Sequence, residues 1–272
     1  MAVRRRLDVE LVRRGLVDSP ERATQVIVAG LVIVAGAPAF APARLVAAGD
    51  PVHVQPPAAR YASRGGEKLA AALAGFALDV TGVRALDAGA STGGFTDCLL
   101  QHGAAHVVAV DVGRGQLAWA LRNDPRITVL ERTNVRDLDH GVIGGPVGFV
   151  TADLSFVSLV TVAPALVRCS TDGADLVLLV KPQFEAGRAR VGEGGVVRDT
   201  EVHRAVLREV RDGLVGAGLV TVGVLPSPLR GADGNTEFLF HARHAGVTDG
   251  VVADDAVDAA VAAAAARPGA RR

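Results

Sequence analysis

Lysine is nearly missing from this chain. Of 29 basic residues among 272, only two are lysines, Lys68 and Lys181, and the rest are arginines. A guanidinium stays protonated in a protein and cannot accept a proton, whereas a lysine amine can once burial or a neighbouring cation depresses its pKa. Two positions that keep an amine in an arginine-rich chain are therefore candidates for proton transfer. Cysteine is also scarce. Cys98 and Cys169 cannot staple a chain of this length, and neither sits in a Cys-x-x-Cys or Cys/His cluster. That argues against a disulfide framework and a structural metal site, and it fits a reducing cytoplasm. Excess charge is absent: 29 acidic residues balance 29 basic ones, which excludes a chain-wide nucleic-acid footprint and leaves local patches. No apolar segment is both long and unbroken. The uncharged run Val26–Ala43 is interrupted by Gly30, Gly36, Pro38 and Pro42, and the basic start at Arg4, Arg5 and Arg6 leads into a charged stretch rather than a signal-peptide core. Stable membrane insertion is not expected.

What remains is a globular composition, 49% apolar and 21% charged with 32 glycines, and room for about two domains. Residues 1–58 read as a small α+β module. Residues 4–17 suggest an amphipathic helix, with Leu7, Val9, Leu11, Val12 and Leu16 mostly on one side. Ser19-Pro20-Glu21 predicts a second helix, Ser19 as N-cap and Pro20 at the first helical position. Val-Ile-Val-Ala-Gly occurs twice, at 26–30 and 32–36. The first copy fits a helix stopped by Gly30, the second a buried strand ending in a Gly-Ala-Pro turn; a further strand is expected over 51–54. Pro56-Pro57-Ala58-Ala59 is the expected linker.

From 59 to 272 the pattern changes to alternating strands and helices. Strands are predicted at 84–90, 106–112, 127–133, 147–154, 175–181 and 220–225, and helices at 93–102, 115–122, 157–168 and 200–216. This alternation implies an α/β, Rossmann-like fold with a mostly parallel sheet. Thr236–Ala242 fits an added antiparallel edge strand, and Ala256–Ala266 a terminal helix fraying at Arg267-Pro268-Gly269.

Leu86-Asp87-Ala88-Gly89-Ala90-Ser91-Thr92-Gly93-Gly94-Phe95 joins the first strand of this domain to its first helix. Such glycines let backbone approach a ligand at the carboxyl edge of a sheet. The turn has neither the Gly-x-Gly-x-x-Gly spacing of a dinucleotide site nor a P-loop ending. Asp87 at its start favours S-adenosylmethionine, and Asp111, ending the next strand, suits ribose hydroxyls. Lys68 precedes the sheet in Arg64-Gly65-Gly66-Glu67-Lys68-Leu69, Asp153 and Lys181 end the fourth and fifth strands, and Glu237 opens the last. Lys–Asp–Lys–Glu suits removal of a proton from a weakly acidic hydroxyl.

On these residues the chain resembles the TlyA family, haemolysin-A-like ribosomal RNA 2′-O-methyltransferases of the wider FtsJ-like group. The matching segments are Arg-Gly-Gly-x-Lys-Leu at 64–69, Asp-Ala-Gly-Ala-Ser-Thr-Gly-Gly-Phe-Thr at 87–96, Gly-Gln-Leu-Ala-Trp at 115–119, Glu-Arg-Thr-Asn at 131–134, Ala-Asp-Leu-Ser-Phe at 152–156 and Leu-Val-Lys-Pro-Gln-Phe-Glu at 179–185. Residues 4–54 resemble the small RNA-binding domain named after ribosomal protein S-four. The resemblance implies a catalytic tetrad of Lys68, Asp153, Lys181 and Glu237. It implies S-adenosylmethionine held by Asp87, Gly89, Ala90, Ser91, Gly93, Gly94, Asp111 and Asn134. RNA contacts are expected from Arg4, Arg5, Arg6, Arg13, Arg14, Arg22 and Arg64, with ribosomal RNA or a ribosomal subunit as partner. The family linker can carry a Trp before Ser-Arg-Gly; here the aromatic is Tyr61. The modified nucleotide, the subunit and the oligomeric state stay open. So do three rival readings: a membrane-active haemolysin, a non-catalytic RNA-binding assembly factor, and a nicotinamide oxidoreductase.

Overall fold

The computed structural model describes residues 4–56, 59–244 and 251–267. The chain divides into two compact units, Met1–Ala59 and Arg60–Arg272. In the first, β1 (Arg4–Arg6) leads directly into α1 (Leu7–Arg13), followed by α2 (Pro20–Val28), β2 (Val32–Val34), β3 (Ala37–Ala39), β4 (Leu45–Ala47) and β5 (Val52–Val54). The single helix expected over 4–17 is thus corrected: its first three residues pair antiparallel with β4 instead. That pairing gives the exposed arginines a backbone partner and leaves Leu7, Leu11 and Val12 on the inner face, with Val9 52% exposed. Ser19 caps α2 as expected, accepting from the Arg22 amide at 3.1 Å.

The turn after β2 is Ala35-Gly36 rather than Gly-Ala-Pro. Both residues take positive φ, +50° and +83°, the conformation a two-residue hairpin demands, and Pro38 lies within β3 at the edge of the sheet β3-β2-β5. The run Val26–Ala43 therefore holds a helix end and a hairpin, and among the described residues no helix is long and apolar enough to cross a membrane. Pro57 and Ala58 of the expected linker lie outside the described residues, as do Pro268 and Gly269 of the expected frayed end.

The second unit runs α3 (Gly65–Gly75), β6 (Arg84–Ala88), α4 (Gly94–Gln101), β7 (His106–Asp111), α5 (Trp119–Arg122), β8 (Ile127–Glu131), α6 (His140–Ile143), β9 (Val147–Ala152), α7 (Leu159–Cys169), β10 (Ser170–Val180), α8 (Pro182–Glu185), α9 (Thr200–Val215), β11 (Leu219–Pro226), β12 (Phe238–His244) and α10 (Asp254–Ala266). Its seven-stranded sheet has the order β11-β12-β10-β9-β6-β7-β8. The strands from β10 to β8 are parallel, and β12 is antiparallel to both its neighbours. β12 is antiparallel as expected but is not the edge; it inserts between β10 and β11, and β11 takes the edge. The helix expected over 115–122 shrinks to α5, because Gly115 takes φ +69° and the residues beside it line a crevice. α3 has no counterpart among the expected helices: its first two residues are glycines, which read as loop.

Alternation along the strands builds two cores. Leu86 and Ala88 of β6, Val108 and Val110 of β7, and Val150 and Ala152 of β9 share one core with residues of α7, α9 and α10. Ala85, Val107, Phe149, Val177 and Leu179 share the other with residues of α3 and α4. Arg267, beyond α10, donates to the Ser227 carbonyl at 2.6 Å and so ties the end of that helix to the loop after β11.

In the first unit one carboxylate organises α1. Glu10 is 1% exposed and accepts from Arg13 at 2.6 and 2.7 Å and from Arg14 at 2.8 Å. Hydrogen bonds from Arg13 first, then Arg14, hold its carboxyl at about 2, below the ordinary 4.5. A carboxyl lowered on folding adds stability above its unfolded pKa and loses it as pH falls through the folded one. Protection of the α1 amides in hydrogen exchange on the full chain should therefore drop between about pH 4.5 and about pH 2. Glu10→Gln should lower protection at neutral pH and flatten that dependence; an unchanged profile would refute the clamp.

Candidate active site

The carboxyl ends of β6, β7, β9 and β10 meet the start of β12 around two connected hollows. The first is a narrow crevice under the Gly-rich turn. Gly89 takes φ +87°, and a Cβ there would stand 2.5 Å from the Asp153 carbonyl oxygen, so only glycine fits. Gly93 takes φ +97° as N-cap of α4, where a Cβ would strike Leu117 and Leu121. Ser91 is itself at φ +49°. The Gly89 and Ala90 amides donate to the Val110 carbonyl at 2.8 and 3.0 Å, fastening the turn to β7. Asp111 accepts from the Ser91 amide at 2.8 Å and the Gly113 amide at 2.7 Å, which fixes its carboxylate in the crevice wall. Ala90, Ser91, Asp111, Gln116 and Glu131 are among the lining residues. Gln116 and Glu131 join the site from outside the residues picked by sequence; both fall inside motif segments but carry no separate signal. Glu131 accepts from the Gly115 amide at 2.7 Å and pairs with Arg122, whose hydrogen bond is the main cause of its lowered pKa.

Three further residues expected at the cofactor stand outside the crevice lining. Asp87 has no exposed surface; its oxygens accept from Thr96 at 2.6 Å and Thr151 at 3.1 Å, joining β6, α4 and β9 beneath the turn. Asn134 is exposed and caps a short 3₁₀ turn, accepting from the Arg136 amide at 3.1 Å, and does not line the crevice. Gly94 allows close packing of α4 on α3, since a Cβ there would lie 2.9 Å from the Gly66 amide nitrogen.

The second hollow is a cleft of about 480 Å³ that shares Ser91 with the crevice. Lys68, Asp153, Lys181 and Glu237 all line it. Lys68 Nζ lies 2.5 Å from Glu237 Oε2, a pair linking α3 to the start of β12. Lys181 Nζ lies 2.6 Å from Asp153 Oδ1 and donates to Ser155 Oγ at 3.2 Å. Glycines again give access: Gly65 and Gly66 let α3 press on Phe95 and Tyr61, and a Cβ at Gly231 would stand 2.8 Å from Glu237 Oε1. Arg64 lies on the cleft rim. Asn235, 1% exposed, braces the neighbouring loop: its Oδ1 accepts from the Val197 amide and its Nδ2 donates to the Gly195 carbonyl, both at 3.0 Å.

Phe156 has no signal of its own in the sequence beyond its place in a motif. It is 90% exposed at φ +64°, a conformation that costs a bulky residue energy, and its ring sits 4.9 Å from that of Phe184 on the cleft wall.

The arginines of the first unit divide. Arg14 is spent on Glu10 and on the Ala47, Ala48 and Asp50 carbonyls, Arg13 on Glu10, and Arg6 on Asp8. Among the described residues Arg4, Arg5 and Arg22 pair with no carboxylate.

Fold and site together define a Rossmann-like, S-adenosylmethionine-dependent methyltransferase; the glycine turn at the carboxyl edge of the sheet suits that cofactor. A family model of FtsJ-like methyltransferases matches residues 61–244, and the chain belongs to that family. It is 53% identical over 244 residues to the 16S/23S rRNA (cytidine-2′-O)-methyltransferase TlyA of Mycobacterium tuberculosis, covering 89% of this chain and 91% of the relative. It is 38% identical to Hemolysin A of Brachyspira hyodysenteriae, covering 87% and 98%. A solved structure from Streptococcus thermophilus, also bearing the name hemolysin, superposes with a TM-score of 0.73 at 39% identity over 97% of each chain.

Burial raises the Asp87 carboxyl to about 6 from 3.8, against the lowering effect of the Thr96 and Thr151 hydroxyls. A carboxyl raised on folding favours the native state when protonated, so its contribution is full below 3.8 and is lost as pH rises through about 6. The loss should approach about 3 kcal/mol at neutral pH. Denaturant titrations should show that decline in the wild type and not in Asp87→Asn; the same slope in both would exclude Asp87 as its source.

Proposed function

We propose that this chain methylates the ribose 2′-hydroxyl of a cytidine in ribosomal RNA. The observation that carries the reading is that both lysines of the chain line one cleft, each against a carboxylate, next to the cofactor crevice. S-adenosylmethionine supplies an electrophilic methyl group when bound. Ala90, Ser91 and Asp111 would hold it at the crevice, while Gly89 and Gly93 shape the turn. Lys181, in its unprotonated form, takes the proton from the 2′-hydroxyl, with Asp153 and Ser155 fixing the amine. Lys68, held by Glu237, supplies positive charge beside the developing oxyanion. Phe156 offers an exposed ring against which the target base stacks. Close alignment of hydroxyl and methyl carbon supplies the rest of the acceleration.

The first unit serves as an RNA-binding module of the S-four type, with Arg4, Arg5 and Arg22 as phosphate contacts; Arg64 adds one at the cleft. Such contacts position RNA without reading its sequence. A ribosomal RNA substrate implies a cytoplasmic enzyme.

Labelled methyl from S-adenosylmethionine should appear at a ribose 2′-oxygen when ribosomal subunits or their RNA are supplied. General-base help is worth about 10²–10⁴ in rate, so Lys181→Arg should lose that much with cofactor affinity intact. Its single-turnover rate should no longer climb with pH, and Lys68→Arg should be milder. A normal rate and pH profile in Lys181→Arg would remove Lys181 from the chemistry.

A further inference from the structure

A second cavity, about 400 Å³, adjoins the cleft and shares Arg230 and Asp233 with it. Val197, Val261 and Ala264 give it a buried apolar floor, and Arg198 and Arg230 are exposed on its rim. Arg230 is steered there by hydrogen bonds to the Gly234 carbonyl at 3.3 Å and Thr236 Oγ1 at 3.1 Å. Among the described residues neither Arg198 nor Arg230 forms an ion pair. The nearby Asp199 carboxylate is occupied in capping α9 through the Glu201 amide.

We propose that this cavity holds a nucleotide flanking the methylated one, an inference that rests on the RNA methyltransferase reading above. A ribose in the cleft belongs to a strand that must leave it through a phosphate. Arg230 stands in the wall between the two hollows, where that phosphate would pass. The floor offers an apolar face to a base, and Arg198 adds a second cation on the rim. Thr200 and Thr236 supply hydroxyls for base edges, and Asp233 suits an exocyclic amine. An apolar floor with an arginine rim fits a nucleotide better than a metal ion or an acidic peptide.

The test uses the full chain, labelled cofactor, and ribosomal subunits and their RNA as separate substrates. Arg198→Ala removes an exposed cation, and Ala265→Trp fills the cavity from the exposed side of α10. Both should raise the KM for RNA about fivefold or more, with the loss falling on KM rather than kcat, and Arg198→Ala should reduce the salt slope by roughly one. Unchanged KM and salt slope in both variants, with an active wild type, would overturn the subsite alone. A wild type that methylates neither ribosomal subunits nor their RNA would overturn the functional reading and the subsite with it. In a wild type active on both substrates, sensitivity seen with intact subunits and not with the naked RNA would assign the cavity to a ribosomal protein and overturn the proposal.

Discussion

Lys68 depends on Glu237. An ammonium only 9% exposed loses most of its hydration, and the effective penalty is several kcal/mol per ion unless an opposite charge touches it. Glu237, 3% exposed, is under the same constraint. Each makes the other tolerable, and 169 residues of chain separate them. Everything between must fold so that α3 and the start of β12 arrive at one point.

The sheet meets that demand through direction. Parallel strands deliver their carboxyl ends to one edge, which brings Asp153 and Lys181 together after β9 and β10. An antiparallel strand delivers its beginning to the same edge, so inserting β12 beside β10 places Glu237 there. A seventh parallel strand would have carried it to the opposite side of the domain. The glycines at 65, 66, 89 and 231 then remove the side chains that would keep these elements apart.

Much of this is legible in the residues alone. Alternating apolar runs mark the strand order along the second unit, and the Gly-rich turn and both lysines mark the cleft. What escapes is set by partners distant in sequence. Nothing local says that Arg4–Arg6 will pair with Leu45–Ala47, or that β12 will lie inside β11. Two glycines at the head of α3 look like loop until Tyr61 and Phe95 are seen filling the space they leave. Asp87 has the residue type of a ligand contact, and nothing near it in sequence shows that Thr151, 64 residues on, will donate to it.

The near-total use of arginine elsewhere has a chemical corollary. Every side-chain amine of the lysine type in the chain belongs to Lys68 or Lys181, and both line the cleft. Acylating reagents and acetyl donors thus find no lysine on the outer surface. Coupling through lysine would report directly on the openness of that cleft, and immobilising this protein by that chemistry would consume both residues proposed for handling the proton.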